Sequence, residues 1–288
     1  MTFVRKKKIN GREYYYLVKS VRNEKNIERY IGLNPPTKKE IMLFEEEYDN
    51  TKTFLILKEE TLSKIKQAYK KKLTKASKDE LIKLEEHIIT QFTYNTSRIE
   101  GSALTLKDTS LLLNQGIAPN NKPFRDIKEV ENHKKAYLFL KSYKKDIDRN
   151  LILSLHRILK QDITEDAGTF RNAGVRIGDM IGLNHKLIST EIKNLLEWYN
   201  KNLLHPIELV SQFHCIFERI HPFFDGNGRV GRLLMNHTLL RKGYPPVIMQ
   251  NKNKKRYYNA LIKGQKGNYL LIIKYIVSEI ETQSGIFF

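Results

Sequence analysis

Cysteine is almost absent from this sequence, because Cys215 is the single one among 288 residues. An internal disulfide is therefore excluded, and a lone thiol is compatible with a reducing compartment. Cys215 lies in the stretch SQFHCIFERI, where apolar residues recur at helical spacing. We interpret it as a buried structural thiol rather than a nucleophile.

Long apolar runs are also missing from the chain. None approaches the roughly 20 consecutive residues that a helix needs to cross a bilayer. The N-terminal stretch MTFVRKKKIN is basic, but the apolar core of a secretory signal does not follow it. These absences predict a cytoplasmic protein without a membrane partner.

Acidic residues are scarce relative to basic ones, with 32 against 51, so the formal net charge is +19. Lysine is densest at residues 64–78, KIKQAYKKKLTKASK. Such a balance favours polyanionic partners such as nucleic acid or nucleotide phosphates. A solvated lysine surface, as in heat-adapted proteins, explains the same composition. The charge alone leaves both interpretations open.

The hydrophobic periodicity predicts a mainly α protein in three parts. Residues 1–36 form a small β element, either a β-hairpin or a small sheet, because the apolar runs REYYYLVKSV and NIERYIGL flank a plausible turn, NEK. Residues 37–104 form a long helical region, with Thr37 and Glu40 at capping-box spacing. Residues 105–288 form the main helical core. We expect its helices at about 105–115, 126–144, 149–161, 190–203, 206–220, 228–242, 254–265 and 269–283.

One segment interrupts the helical pattern of the core. Residues 168–188, GTFRNAGVRIGDMIGLNHKLI, contain four glycines and two short β-like runs. Glycine-rich turns between β-branched residues are typical of hairpins. The sequence therefore predicts a β-hairpin inserted into the helical core.

The stretch HPFFDGNGRVGR at residues 221–232 concentrates the residues that carry chemistry. A helical pattern ends at His221, because Pro222 disfavours helical geometry in the residue before it. A turn rich in glycine follows, and a new helix begins near Arg229. Such a turn points unpaired backbone N–H groups at the positive end of a helix dipole. The sequence predicts an anion site here.

The side chains of this stretch suit phosphate chemistry. Arg229 and Arg232 are three residues apart, so they neighbour each other on one helix and can bind phosphate oxygens. Asp225 is a hard oxygen ligand of the kind that Mg²⁺ takes together with substrate phosphates. His221 has a side chain that titrates near neutrality and can accept a proton. No P-loop, dinucleotide fingerprint or HExxH spacing offers another site.

The stretch resembles the signature of the Fic family (filamentation induced by cyclic AMP), H-x-F-x-D/E-G-N-G-R-x-x-R, in every specified position. The resemblance extends over about residues 85–265 and implies a Fic-type helical bundle with a β-hairpin flap at 168–188. It further implies a homodimer and transfer of AMP from ATP to a protein hydroxyl, with Mg²⁺. The protein substrate is expected to be another protein or the chain itself.

The resemblance also implies a role for individual residues. His221 is the general base, Asp225 holds Mg²⁺, and Phe223 anchors the loop in the core. The expected phosphate contacts are Gly226, Asn227, Gly228, Arg229 and Arg232, with Arg232 at the γ-phosphate. Tyr257 and Tyr258 line the adenine pocket or else belong to the core.

A second motif, TSRIEG at residues 96–101, resembles the inhibitory helix of this family, S/T-x-x-x-E-G/N. The resemblance implies that Glu100 pairs with Arg232 and occupies the γ-phosphate position. Low basal activity follows, and in some family members the equivalent glutamate assists removal of AMP. A helix end with an exposed glutamate beside a capping glycine is the simpler alternative.

The hairpin edge predicts how a target docks. An extended target segment would pair with Val175, Arg176, Ile177 and Gly178 through main-chain hydrogen bonds, with little side-chain specificity. A purely structural hairpin is the alternative.

Two other functions remain open. The first is nucleic-acid binding by the N-terminal hairpin, whose basic residues accompany Tyr14, Tyr15 and Tyr16, with a regulatory or inactive core. The second is transfer of UMP or another phosphate-linked group.

Overall fold

The computed structural model describes residues 2–9, 11–20, 26–177 and 180–286. It is mostly helical, as the periodicity predicted. The strands are β1 (Thr2–Ile9), β2 (Arg12–Lys19), β3 (Ile27–Gly32), β4 (Arg176–Ile177) and β5 (Met180–Ile181). The helices are α1 (Lys38–Lys75), α2 (Lys78–Ile99), α3 (Leu106–Ser110), α4 (Phe124–Ser142), α5 (Arg149–Lys160), α6 (Ile188–Lys201), α7 (Pro206–Ile220), α8 (Asn227–Arg241), α9 (Lys254–Gln265) and α10 (Leu270–Gln283). A π-helical turn, Leu111–Gln115, extends α3, and the predicted helix limits fall within about two residues of the observed ones.

The N-terminal element is a small sheet, one of the two predicted alternatives. Strands β1, β2 and β3 form an antiparallel sheet in that order, while the turn expected at 23–25 lies outside the described residues. Tyr14, Tyr16 and Tyr30 are buried together, and the Trp198 indole donates to the carbonyl of Glu28 at 2.6 Å. The sheet thus packs against α6, where Trp198 is buried.

The long helical region predicted before residue 100 is two helices. The break falls at Ser77, whose hydroxyl accepts from the backbone N–H of Glu80 while the Glu80 carboxylate accepts from the N–H of Ser77. This capping box starts α2, and the one predicted for Thr37 and Glu40 starts α1. Helix α2 then runs to Ile99 and delivers the predicted inhibitory motif to the core.

Helix α7 lies at the centre of the core and is buried on nearly every side. Cys215 on this helix has no exposed surface, and burial raises the pKa of its thiol, so the prediction of a structural thiol is confirmed. Helices α6, α8, α9 and α10 pack around α7. Within the described residues, every helix is too short or too polar to cross a bilayer.

The predicted hairpin in the core is present, with very short strands. Arg176 pairs with Ile181 and Ile177 with Met180. Gly178, predicted to contact the target, lies outside the described residues.

Candidate active site

The loop between α7 and α8 has the backbone that the sequence predicted. Helix α7 ends at His221, which adopts a left-handed conformation with φ 50° and ψ 64°, and Gly226 has φ 85°. Helix α8 then begins at Asn227. The first N–H groups of α8 therefore face the space beside His221, which creates a site suited to anions.

Two side chains fix this loop. The Asn227 carboxamide accepts from the N–H of Phe223 at 2.9 Å and donates to its carbonyl at 2.8 Å. Phe223 is fully buried and stacks on the His156 ring with centroids 3.7 Å apart. The expected anchor role of Phe223 is confirmed. Asn227 holds the loop together in this structure, so its expected phosphate contact stays a prediction.

The hydrogen bonds of His221 leave a free basic nitrogen. Its Nδ1 lies 3.3 Å from the carbonyl of Glu218, and a carbonyl can only accept, so Nδ1 carries the proton. Burial lowers the pKa of His221, which favours the neutral ring. The Arg171 guanidinium donates to the carbonyl of His221 at 2.8 Å. A neutral imidazole with a basic Nε2 is the state that a general base requires.

Arg232 is buried and pairs with the end of α2. Its Nη2 lies 2.6 Å from Oε1 of Glu100, and its Nε donates to the Thr96 hydroxyl at 2.7 Å. The predicted pairing of Glu100 with Arg232 is therefore present. An added Cβ on Gly228 would lie 2.5 Å from the same Glu100 oxygen, so this carboxylate lies against the first turn of α8.

Asp225 lies within a cluster of cations. Its Oδ2 accepts from Lys160 and from Nη2 of Arg125 at 2.9 Å, and its Oδ1 accepts from the N–H of Gly226 at 2.6 Å and from Nη2 of Arg229 at 3.2 Å. Burial alone would raise the pKa of Asp225, but Arg229 and Lys160 hold it well below its ordinary value. Asp225 is therefore ionised across the physiological range.

Arg229 is paired with two acidic side chains, Glu129 and Asp225. Its Nη1 lies 2.7 Å from Oε2 of Glu129, and its side chain is nearly inaccessible. The sequence suggested two neighbouring arginines on a helix surface, but both Arg229 and Arg232 are buried. A direct phosphate contact of Arg229 stays a prediction.

A cavity of about 590 Å³ joins these groups. This volume lies within the range typical of small-molecule sites. Its wall includes His221, Arg232 and the loop residues 225–228, and α9 contributes the facing side. The α9 residues in the wall are Tyr257, Tyr258, Leu261, Ile262 and Gln265. Tyr257 is buried and bonded to His214 at 2.7 Å, whereas Tyr258 is half-buried.

The comparisons with known proteins agree with this geometry. Residues 146–239 match the family model described as Fic/DOC family, a segment that holds the whole HPFFDGNGRVGR loop. The chain therefore contains a Fic domain. Glu100 lies outside the matched segment.

Curated relatives carry adenylyltransferase names. The chain is 30% identical over 199 residues to protein adenylyltransferase fic-1 of Caenorhabditis elegans, covering 66% of this chain and 39% of that protein. It is 31% identical over 193 residues to protein adenylyltransferase Fic of Drosophila grimshawi, covering 65% and 40%. The chain thus spans about two fifths of the length of the curated relatives it matches.

Solved structures share the fold. A Fic-domain-containing signalling protein of Bacteroides thetaiotaomicron aligns with a TM-score of 0.70 and 26% identity, covering 78% of this chain and 95% of that one. Fic-1 of C. elegans aligns with a TM-score of 0.73 and 24% identity, covering 88% and 77%. The predicted Fic-type helical bundle is confirmed, and the similarity extends beyond the segment that matches the family model.

The donor set at Asp225 suits magnesium in its chemistry. Mg²⁺ is commonly coordinated by an ionised carboxylate when substrate phosphates supply further ligands. Within the described parts of the chain, no group of three or more His, Cys, Asp or Glu side chains forms a metal site, so substrate oxygens would have to complete the shell. Four hydrogen-bond donors already occupy the acceptor positions of the Asp225 carboxylate, so one donor must leave before a metal ion can bind there.

Sequence reasoning missed several residues of the Fic domain and its surroundings. Lys160 and Glu129 support the Asp225 cluster, and Arg171 also donates to the carbonyls of Ala173 and Leu183 at the base of the hairpin. The cavity wall includes Glu218, where burial raises the pKa of the carboxyl to about 8. Of these residues, only Glu218 had a local signal in the sequence, namely its Glu-x-x-His spacing to His221.

His156 was likewise missed. Its Nδ1 accepts from the N–H of Gly168 at 2.9 Å, and its Nε2 lies 3.1 Å from the carbonyl of Asp225. Because a carbonyl only accepts, Nε2 carries the proton, and burial lowers the pKa of this ring to about 4. A neutral His156 therefore ties the hairpin entrance to the loop.

Proposed function

We propose that this chain is a protein adenylyltransferase that moves AMP from ATP to a tyrosine, serine or threonine hydroxyl of a protein. One observation carries the proposal: a single cavity unites the basic nitrogen of His221, the N–H groups that open α8, and Arg232. The adenylyltransferase names of the relatives support it.

The chemistry needs one base and one anion site. His221 Nε2 takes the proton of the target hydroxyl while its oxygen attacks the α-phosphorus of ATP. The oxygen–phosphorus bond forms, the bond to the β-phosphate oxygen breaks, and pyrophosphate leaves. The N–H groups that open α8 stabilise charge on the phosphates. Bound Mg²⁺ on Asp225 would supply further charge neutralisation.

The substrate orientation follows from the cavity wall. The charged side holds Arg232 and the loop, whereas Leu261, Ile262 and Tyr258 supply apolar and aromatic surface on α9. We infer that the phosphates lie along the loop and the adenine along α9.

Glu100 inhibits the enzyme in this proposal. Its carboxylate lies on Arg232, the side chain expected to bind the γ-phosphate, so ATP must displace it before adopting the reactive pose. Couplings between such sites are commonly worth about 1 to 3 kcal/mol, or roughly 5- to 150-fold. Removal of AMP assisted by Glu100 is a further activity proposed for the same site.

The hairpin edge at Val175 and Arg176 is the proposed docking strand for the target. Arg171 supports this assignment, because it binds both the carbonyl of His221 and the base of the hairpin. A docked strand would therefore lie in fixed relation to the base.

Three remaining expectations keep the status of predictions: a homodimer, an accessory nucleic-acid contact and a cytoplasmic location. Tyr14, Tyr15 and Tyr16 are buried in the sheet, which removes the stacking platform that nucleic-acid binding by this element assumed.

The test compares the wild type with Glu100→Gly and Glu100→Gly/His221→Ala. Each is incubated with labelled ATP, GTP, CTP or UTP and Mg²⁺, and the mass added to protein is measured. We expect ATP labelling to rise about 5- to 150-fold in Glu100→Gly, because the phosphate position is freed. The second change should lower it about 10²- to 10⁴-fold, because the base is lost.

Preference for UTP would replace AMP transfer by UMP transfer. Labelling that survives His221→Ala would contradict the assignment of the base.

A further inference from the structure

The Asp225 carboxylate has no free acceptor position. A carboxylate offers about four lone-pair sites, and here Gly226, Arg229, Lys160 and Arg125 donate to them. A metal ion on Asp225 must therefore replace one of these donors. The question is which donor leaves.

Burial separates the four donors. All three side-chain donors, Lys160, Arg229 and Arg125, also pair with Glu129, but the side chains of Lys160 and Arg229 are only 1% and 3% exposed. The N–H of Gly226 belongs to the loop backbone. Arg125 is 60% exposed and lies at the start of α4. Exposed ion pairs contribute little to stability, whereas leaving a buried charge without its partner is costly, so Arg125 is the donor that can be displaced.

We propose that Arg125 is a displaceable cover on the metal-facing oxygen of Asp225, and that it must swing into solvent before a nucleotide-bound divalent cation can coordinate there. This inference rests on the proposed function. It makes Arg125 a positioning residue that weakens metal loading, in addition to the block by Glu100 at Arg232.

The charge balance of the cluster supports this role. Three cations, Arg125, Lys160 and Arg229, face two carboxylates, Asp225 and Glu129. A divalent cation would add to a group that is already positive. Departure of Arg125 frees a lone pair and removes one like charge at the same time.

The cover is connected to the end of the inhibitory helix. Asp126, the neighbour of Arg125, accepts from the Ser102 hydroxyl at 3.2 Å and from the N–H of Ala103 at 2.6 Å. Ser102 and Ala103 lie two and three residues after Glu100. Contacts on Arg232 and on Asp225 therefore belong to one connected segment, and movement of that segment would weaken both.

The experiment measures metal loading without catalysis. A fluorescent, non-hydrolysable ATP analogue is bound to the full chain and titrated with MgCl₂, in the Glu100→Gly background. The compared proteins are Glu100→Gly alone, with Arg125→Gln, and with Lys128→Gln. Lys128 is the matched control, because it lies on the same helix and pairs with Asp162 and Glu131.

We expect Arg125→Gln to lower the Mg²⁺ midpoint about 5-fold, the upper value for an exposed pair, and Lys128→Gln to leave it unchanged. Affinity for the analogue in EDTA separates metal loading from a general loosening of the site, and it should change less than the midpoint. An unchanged midpoint in Arg125→Gln, with the analogue still bound, overturns the cover. Equal shifts in both variants also overturn it, as a general charge effect. Absence of analogue binding in all three proteins would instead overturn the proposed function itself.

Discussion

At the scale of the residue, the site depends on hydrogen bonds that leave one atom free. Nδ1 of His221 donates to the Glu218 carbonyl, so Nε2 of the same ring is left to accept a proton in the proposed reaction. Asp225 shows the opposite case, because every acceptor position is filled. The same loop thus contains the proposed base with one nitrogen free and the proposed metal ligand with its acceptor positions occupied.

The His221 ring predicts a pH profile. Burial favours its neutral form and lowers its pKa below the ordinary value of about 6.5. Labelling by Glu100→Gly at saturating ATP should therefore be constant above about pH 7 and fall tenfold per pH unit below the pKa of the ring. Circular dichroism at each pH provides the control for folding. An inflection above pH 7 would contradict a buried neutral base.

At the scale of the element, close packing of helices needs glycine at specific positions. A Cβ on Gly264 of α9 would lie 2.3 Å from Sγ of Cys215 on α7. No real Cβ contact is that short, so the two helices approach each other only because this position has no side chain. Helix α9 also forms a wall of the cavity, so this packing positions one side of the proposed nucleotide site.

Gly264→Ala should therefore destabilise the protein by about 1 to 3 kcal/mol through overpacking. Cys215→Ala removes the opposing sulfur, so the double variant should be more stable than the sum of the two single effects. Urea denaturation of the four proteins measures this coupling. Gly267→Ala is a poor comparison because of its positive φ, whereas Gly285 is surrounded by open space and provides the control. Strict additivity would show that α7 and α9 do not constrain each other here.

At the scale of the whole molecule, one buried arginine joins the N-terminal sheet to the helical core. Arg29 of β3 donates to the carbonyl of Gly267 at 2.8 Å and pairs with Glu47 of α1 at 3.4 Å. Glu47 in turn accepts from the N–H groups of Tyr269 and Leu270. The sheet, α1 and the start of α10 therefore meet at a single ion pair.

Loss of the Arg29 charge should lower the free energy of unfolding of the whole protein. Arg29→Gln leaves Glu47 buried without its cation, which typically costs about 3 to 5 kcal/mol of unfolding free energy. Chemical denaturation measures the loss, and Arg12→Gln on the exposed end of β2 is the matched control. Adding Glu47→Gln should recover part of the loss. A stability equal to that of the Arg12 variant would show that the sheet docks without this pair.

Local patterns were sufficient for much of this protein. Residues a few positions apart specify three features that were predicted. These are the start of α1 at Thr37, the hairpin at 168–188 and the loop at 221–232. The division of the helical region at Ser77 was missed, although Ser77 and Glu80 carry the same capping signal as Thr37 and Glu40. Strand β1 was missed, because the pairing of one strand with another is not a local property of the sequence.

The sequence by itself determined the family signature and the order of the helices, because these depend on short-range spacing, whereas the pairing of Glu100 with Arg232 was implied only by the resemblance. Only the tertiary structure decided what surrounds Asp225. Lys160 and Arg125 reach it from 65 and 100 residues away, and neither stands out in a lysine-rich chain. The packing of α4 and α5 against the loop brings together charges that are distant in sequence. The hydrophobic periodicity of the sequence does not reveal that packing.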